Sequence, residues 1–257
     1  MSSKIRLQRV KRGWMDLEVQ RIHQENHNSR TIFLVDLSEK KRVFDFVAGQ
    51  YLTFRFDNLA EKPLVRSYTL SSSPCQEDAI AFTVKEIDGG VVSRYLIREL
   101  KVGDVLRARG AMGAFCYSEE RDEKELVLIG AGSGVTPFAS MFREYSGRLG
   151  QSVPLEGMRL LLSFRSRKDL ILWETFSKYK NHPGISVWTT LSQDPYAPSS
   201  FLKGRISPKM LKDCLKGNYL NKTFMICGPD EMMKVMSDFL RHSGVSEKNI
   251  RMESFLS

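Results

Sequence analysis

The chain has 257 residues, 42% of them apolar and 27% charged, with a formal net charge of +9. That is the composition of an ordinary globular protein, with material for one large or two modest domains. No run approaches the roughly 18 consecutive apolar residues a membrane-spanning helix needs, and the basic start lacks the apolar stretch of a secretory signal, so a cytoplasmic protein is expected. Four cysteines, Cys75, Cys116, Cys214 and Cys227, stand far apart. They form no CxxC pair and no ferredoxin-like spacing, so neither a metal site nor an iron–sulfur site is read here. Three of them read as fillers of small apolar gaps, and Cys227 is set apart by the Gly-Pro that follows it.

In chain order, residues 1–12 form a basic tail carrying Lys4, Arg6, Arg9, Lys11 and Arg12. Two readings stand for it: a solvated end, or attraction to an acidic partner. No zinc-finger spacing, RNA-recognition signature or basic heptad region accompanies the charge, so nucleic acid is not expected and an acidic protein is favoured. Residues 13–117 read as the first domain. Within it, short runs of β-branched and aromatic residues at 31–35, 51–56 and 79–84 predict strands of an antiparallel sandwich or barrel. Only residues 91–100 of this half have a helical pattern. A charged connector, 118–124, leads to a second domain, 125–257, where strand and helix alternate. Strands are expected at 125–129, 159–163, 185–189 and 223–227, with helices at 136–149 and near 170–180 and further helices between or after the later strands. Such alternation predicts a doubly wound parallel sheet with helices on both faces, and ligands beyond the carboxyl ends of its strands.

Two segments of the second domain point to a dinucleotide. Gly130-Ala131-Gly132-Ser133-Gly134-Val135-Thr136-Pro137 lies between a strand and a helix. Glycines there let the backbone approach a pyrophosphate, the helix start offers unpaired N–H groups, and Pro137 suits a first helical turn. A tight strand-to-helix turn explains the same glycines. No Gly-Lys-Ser/Thr ends the loop, so hydride chemistry is favoured over phosphoryl transfer. After the second strand come Arg165, Ser166 and Arg167, with no acid before Asp169. Arginine at this point accommodates the 2′-phosphate of NADP, so NADP(H) is favoured over NAD(H); surface charges at a strand end are the alternative.

Three motifs occur in order: Arg66-Ser67-Tyr68-Thr69, the glycine loop, and Cys227-Gly228-Pro229. Together they resemble the ferredoxin–NADP⁺ reductase superfamily over nearly the whole chain. The resemblance implies a Greek-key FAD-binding β-barrel over 13–117, followed by an NAD(P)-binding α/β domain over 125–257. It implies that Arg66 neutralises the FAD pyrophosphate, Tyr68 lies along the flavin, and Thr69 places a hydroxyl near N5, the atom that accepts hydride. Ser67 falls within the same motif. Read alone, this tetrapeptide is equally an exposed strand. Val84, Lys85, Gly90, Val91, Val92 and Ser93 resemble the second flavin phosphate segment. In the second domain Thr136 is expected to touch both rings, and Cys227, with Gly228 and Pro229, to border the nicotinamide. Buried filler remains open for Cys227. Glu253 is expected to relay a proton toward N5 and Phe255 to cover the flavin, a frayed end being the alternative for Phe255. The implied activity is an NAD(P)H-dependent FAD oxidoreductase. It would serve a separate acidic carrier, a ferredoxin or flavodoxin, as a monomer or weak dimer. A reductase of free flavin or ferric chelates, or a partner-dependent FAD-binding subunit, are the rival functions.

Overall fold

A computed structural model describes residues 13–38, 40, 44–76, 78–146, 149, 155–179 and 182–255; the basic tail lies outside the described residues. The chain divides into two compact units, one up to Cys116 and one from Tyr117.

The first unit is built on β1 (Trp14–Asn26), β2 (Ser29–Asp36), β3 (Tyr51–Phe56), β4 (Leu64–Thr69), β5 (Ile80–Lys85), α1 (Val91–Arg98) and β6 (Val105–Met112). Its strands pair antiparallel in the order β4-β3-β6-β1-β2-β5. Alternate residues point inward, so Leu17 and Val19, Ile32 and Leu34, Leu52 and Phe54, and Phe82 and Val84 fill one core. Leu70 bridges to Phe82, and the Ser71 N–H donates to the Ala81 carbonyl at 2.7 Å. The chain after β4 therefore meets β5, and the sheet closes into the expected barrel, with α1 adding Val92, Leu96 and Ile97 to its core.

The second unit contains β7 (Glu125–Ala131), α2 (Thr136–Tyr145), β8 (Gly157–Phe164), α3 (Trp173–Ser177), β9 (Ile185–Leu191), β10 (Leu202–Lys203), α4 (Pro208–Leu215), β11 (Lys222–Cys227), α5 (Asp230–His242) and β12 (Ile250–Glu253). All its strand pairs are parallel, in the order β10-β9-β8-β7-β11-β12. The chain runs outward from β7 to β10, then returns to β11 on the other side of β7. The strand order reverses there, and such a reversal opens a crevice at the carboxyl ends. Val127, Ile129, Leu161 and Phe224 pack beneath α4 and α5. The opposite face meets α2, whose Phe138 ring lies against Gly130.

Several expectations need correction. The helix near 170–180 shrinks to α3 because Leu172 takes a left-handed conformation (φ 56°) directly before it, and the preceding Arg167–Asp169 turn ends in extended Leu170. The helix expected at 136–149 ends at Tyr145, with 147 and 148 outside the described residues. Cys75 is exposed, not a filler. Among the described residues, no helix is long and apolar enough to cross a membrane.

Candidate functional site

In the first unit the chemistry-bearing tetrapeptide occupies the end of β4. Arg66 and Ser67 are exposed, Tyr68 is half-buried and Thr69 is buried. The Arg66 guanidinium donates to the neighbouring Val65 carbonyl at 2.8 Å, and the Ser67 hydroxyl lies 3.0 Å from that of Thr53. Tyr68 packs against two rings that touch each other, its centroid 6.0 Å from Phe54 and 5.2 Å from Phe82. Burial pushes its phenol up to about 12, against a smaller lowering by Arg66, so the ring is neutral at any physiological pH. Just past Thr69 lies a chain of buried hydroxyls that sequence reasoning did not single out. Ser71 Oγ is 2.9 Å from Thr83 Oγ1, which is 2.8 Å from Thr31 Oγ1. Thr31 in turn donates to Glu25, so each buried hydroxyl is satisfied by the next.

The turn before α1 forms the second feature of this unit. Gly89 has φ +70° with open space where a Cβ would stand, and a Cβ on Gly90 would lie 2.5 Å from Ser93 Oγ. Ser93 is buried, accepting from the Ile87 N–H at 3.1 Å and donating to the Gly90 carbonyl at 3.2 Å. It therefore shapes the turn with its side chain and can offer a ligand only its backbone N–H. Gly90 caps α1 with no side chain, leaving the first N–H groups at Val91, Val92 and Ser93 without intrahelical acceptors. Val84 faces the barrel core, so it too has only its backbone to offer; Lys85 is half-buried beside it.

In the second unit three expected segments converge at the carboxyl ends of neighbouring strands. Gly130 pairs with Cys227 and Cys227 with Glu253, giving one row across β7, β11 and β12 at the reversal point. The glycine loop starts helical one turn sooner than expected, as a 3₁₀ turn over Gly132–Val135 that runs into α2. The first N–H groups of the helical run thus belong to Gly132, Ser133 and Gly134. Thr136 is buried and its hydroxyl donates to the Ser133 carbonyl at 2.9 Å, a role internal to the loop. Pro137 sits in the first turn of α2, where no N–H is needed. A Cβ on Gly134 would stand 2.3 Å from the Cys227 carbonyl oxygen, whereas Gly132 (φ +56°) faces open space.

Cys227 is fully buried, and burial together with the Glu253 charge pushes its thiol up, which favours the neutral thiol. Burial also pushes the Glu253 carboxyl up to about 7. Its Oε2 is buried without a hydrogen-bond partner among the described residues. Gly228 lets the chain pass close to Ala131, and Pro229 leads into α5. Phe255 is 39% exposed.

At the end of β8, Arg165 is exposed. The Ser166 N–H and hydroxyl both donate to Asp169, at 3.1 and 2.7 Å. Arg167 pairs through Nε with Asp194 at 2.8 Å. Sequence reasoning missed Asp194 because it lies on the far side of β9.

Both cradles fit their expected ligands. The first unit combines an exposed arginine, a clamped aromatic ring and a bare helix start; the second has a glycine turn open on one side and closed against Cys227 on the other. Comparison with known proteins agrees. Residues 16–117 match the oxidoreductase FAD-binding domain family, and residues 128–238 the oxidoreductase NAD-binding domain family. The chain is 31% identical to NADH oxidoreductase HCR of Escherichia coli K12 over 90% of its own length and 65% of the relative's. It is 28% identical to the glycine betaine monooxygenase reductase subunit of Chromohalobacter salexigens, over 91% and 62%. It thus spans less than two thirds of both curated relatives. A ferredoxin NADP⁺ reductase from Neisseria gonorrhoeae shares the fold with a TM-score of 0.80 at 20% identity, over 96% of this chain and 100% of that one.

Proposed function

Because the chain belongs to the ferredoxin–NADP⁺ reductase superfamily, we propose that it is an NAD(P)H-dependent FAD oxidoreductase passing electrons to a separate one-electron carrier. In this reading residues 13–117 form the FAD-binding domain, residues 125–257 the NAD(P)-binding domain, and a cytoplasmic location goes with it. The observation that carries it is the row Gly130, Cys227 and Glu253 at the strand-order reversal, beneath a glycine turn that admits no side chain at Gly134.

Bound FAD supplies the ability to accept electrons as a pair and release them singly. The residues of the chain do the rest. Arg66 pairs with the FAD pyrophosphate through its planar fork, and the N–H groups of Val91, Val92 and Ser93 hold phosphate at the start of α1. Tyr68 offers a ring face held by Phe54 and Phe82, and Thr69 a hydroxyl to the hydride-accepting edge. Gly132, Ser133 and Gly134 receive the dinucleotide pyrophosphate. Cys227 excludes water beside the nicotinamide, and Glu253 holds or releases a proton at Oε2 near neutral pH.

For the dinucleotide, exposed Arg165 is the ground for NADPH. NADH is the second reading, favoured by the Asp169 carboxylate that holds Ser166 and by the NADH oxidoreductase relative. For the acceptor, the net charge of +9 favours an acidic ferredoxin or flavodoxin. The likeness to a monooxygenase reductase subunit adds an oxygenase component to that class. Anaerobic titration of the purified flavoprotein with NADPH and NADH in parallel tests the reading. Bleaching of the flavin absorbance by at least one donor is expected; a chain that takes up no flavin, or whose flavin neither donor bleaches, refutes it. The rate with an acidic carrier is expected to fall steeply with added salt, and a salt-independent rate removes the electrostatic part.

A further inference from the structure

We propose that Asp194 sets the coenzyme choice by occupying Arg167, the guanidinium that a ribose 2′-phosphate would otherwise take. The inference rests on the dinucleotide reading above. β8 and β9 are parallel neighbours, paired to Phe164 and Leu191, so the loops leaving their carboxyl ends run side by side. The Ser192 N–H donates to the Phe164 carbonyl at 3.0 Å and the Gln193 N–H to that of Arg165 at 2.7 Å. This lacing brings Asp194 onto the Arg165-Ser166-Arg167 segment from 27 positions away.

There Asp194 Oδ2 accepts from Arg167 Nε at 2.8 Å and from the Arg167 backbone N–H at 3.3 Å, while Oδ1 accepts from the Tyr196 N–H at 3.2 Å. The Asp194 side chain is only 9% exposed, whereas that of Arg167 is 49% exposed. The carboxylate is thus held by its own loop, and the guanidinium at the surface is held by the carboxylate. Asp169 does the same to Ser166. Of the three donors the sequence offers a 2′-phosphate, two are paired with carboxylates, Arg167 through its Nε, and Arg165 has no carboxylate partner among the described residues.

The chemistry of the two coenzymes then separates. A 2′-phosphate is a doubly charged acceptor that needs cationic donors and is repelled by nearby carboxylates. A ribose 2′-hydroxyl is itself a donor, and an acid at this place suits it. Asp194 therefore works against NADPH by cancelling the Arg167 charge. It leaves NADH unpenalised. Asp194 is a positioning residue: it acts through Arg167.

The test uses the FAD-loaded full chain and two probes free of nicotinamide, 2′,5′-ADP and 5′-AMP, with binding measured calorimetrically. Asp194→Asn keeps an oxygen for the Tyr196 N–H but removes the charge. It is expected to tighten 2′,5′-ADP by about tenfold, the scale of one charged hydrogen bond, with little change for 5′-AMP. Arg167→Ala alone is expected to weaken 2′,5′-ADP by leaving the Asp194 charge uncompensated, with little change for 5′-AMP, and to cancel the gain when combined with Asp194→Asn. The NADPH-to-NADH ratio of kcat/KM should move with the probe ratio. A probe ratio unmoved by Asp194→Asn, or a gain that survives loss of Arg167, overturns the inference while leaving the dinucleotide reading standing. Failure of either probe to bind any form overturns both.

Discussion

Replacing Gly134 by alanine tests how the second unit holds its crevice. The added Cβ would stand 2.3 Å from the Cys227 carbonyl oxygen, 2.6 Å from its carbonyl carbon and 2.9 Å from the Gly228 nitrogen. All three are backbone atoms, two of them of Cys227 at the end of the β7–β11 ladder, so no side chain can swing aside. Relief to even a tight contact of about 3 Å moves the loop by roughly 0.7 Å, and overpacking of this kind costs about 1–3 kcal/mol. For a unit of this size that is a fall in Tm of about 4–10 °C. The same shift carries the N–H groups of Gly132, Ser133 and Gly134 away from the strand ends, so dinucleotide affinity falls with stability. Flavin retention belongs to the first unit and is expected to hold. Differential scanning calorimetry, flavin content and NAD(P)H binding on one preparation check all three. An alanine variant with unchanged Tm and unchanged dinucleotide affinity would refute the reasoning, because it would mean that the loop does not rest on Cys227.

Arg66→Ala removes an exposed charge that donates to the Val65 carbonyl. It should weaken FAD about ten- to a hundredfold by fluorescence titration, with little change in the melting of the apoprotein; a lowered apoprotein Tm would instead mark Arg66 as structural. Glu253 ionises near 7 in the folded chain and near 4.5 when unfolded, so the unfolded state binds fewer protons between those values. Stability should therefore fall as pH rises from 4.5 to 7 and then level off, by about 1–2 kcal/mol once solvent screening is allowed for. Urea unfolding of Glu253→Gln should lack this component; a wild-type slope in that variant would assign the effect elsewhere. A thiol reagent at neutral pH should label exposed Cys75 readily and leave buried Cys227 unmodified until the chain unfolds. Labelling of Cys227 in the folded protein would contradict its role as an inert wall.

The barrel and the parallel sheet were both legible because their strands carry strong periodic signals. Residues 51–56 are β3 to the residue, and 31–35 fall inside β2. The motif order likewise marked the strand ends that the fold brings into one row. What the sequence hid were features made by loops meeting across strands. Arg167 and Ser166 looked free for a phosphate because their carboxylate partners act through tertiary contact and local capping. Thr136 looked like a ligand group, and its hydroxyl is spent on its own turn. The helix near 170–180 failed for a local reason, the left-handed Leu172, which no apolar spacing reveals.

The pairing of Gly130 with Cys227 joins positions 97 residues apart, whereas every strand pair of the barrel lies within residues 14–112. Contacts between distant positions form late, because the intervening chain must first be made and ordered. On the ribosome, the first unit can therefore close while β11 is still unsynthesised. Until that strand arrives, β7 has an open edge rich in apolar side chains, a template for pairing with the wrong chain. The strand that completes the dinucleotide crevice also covers that edge. A nascent or truncated chain ending before Lys222 would thus retain a closed barrel but expose an aggregation-prone strand, so the last seventh of the sequence protects the molecule as well as equipping it.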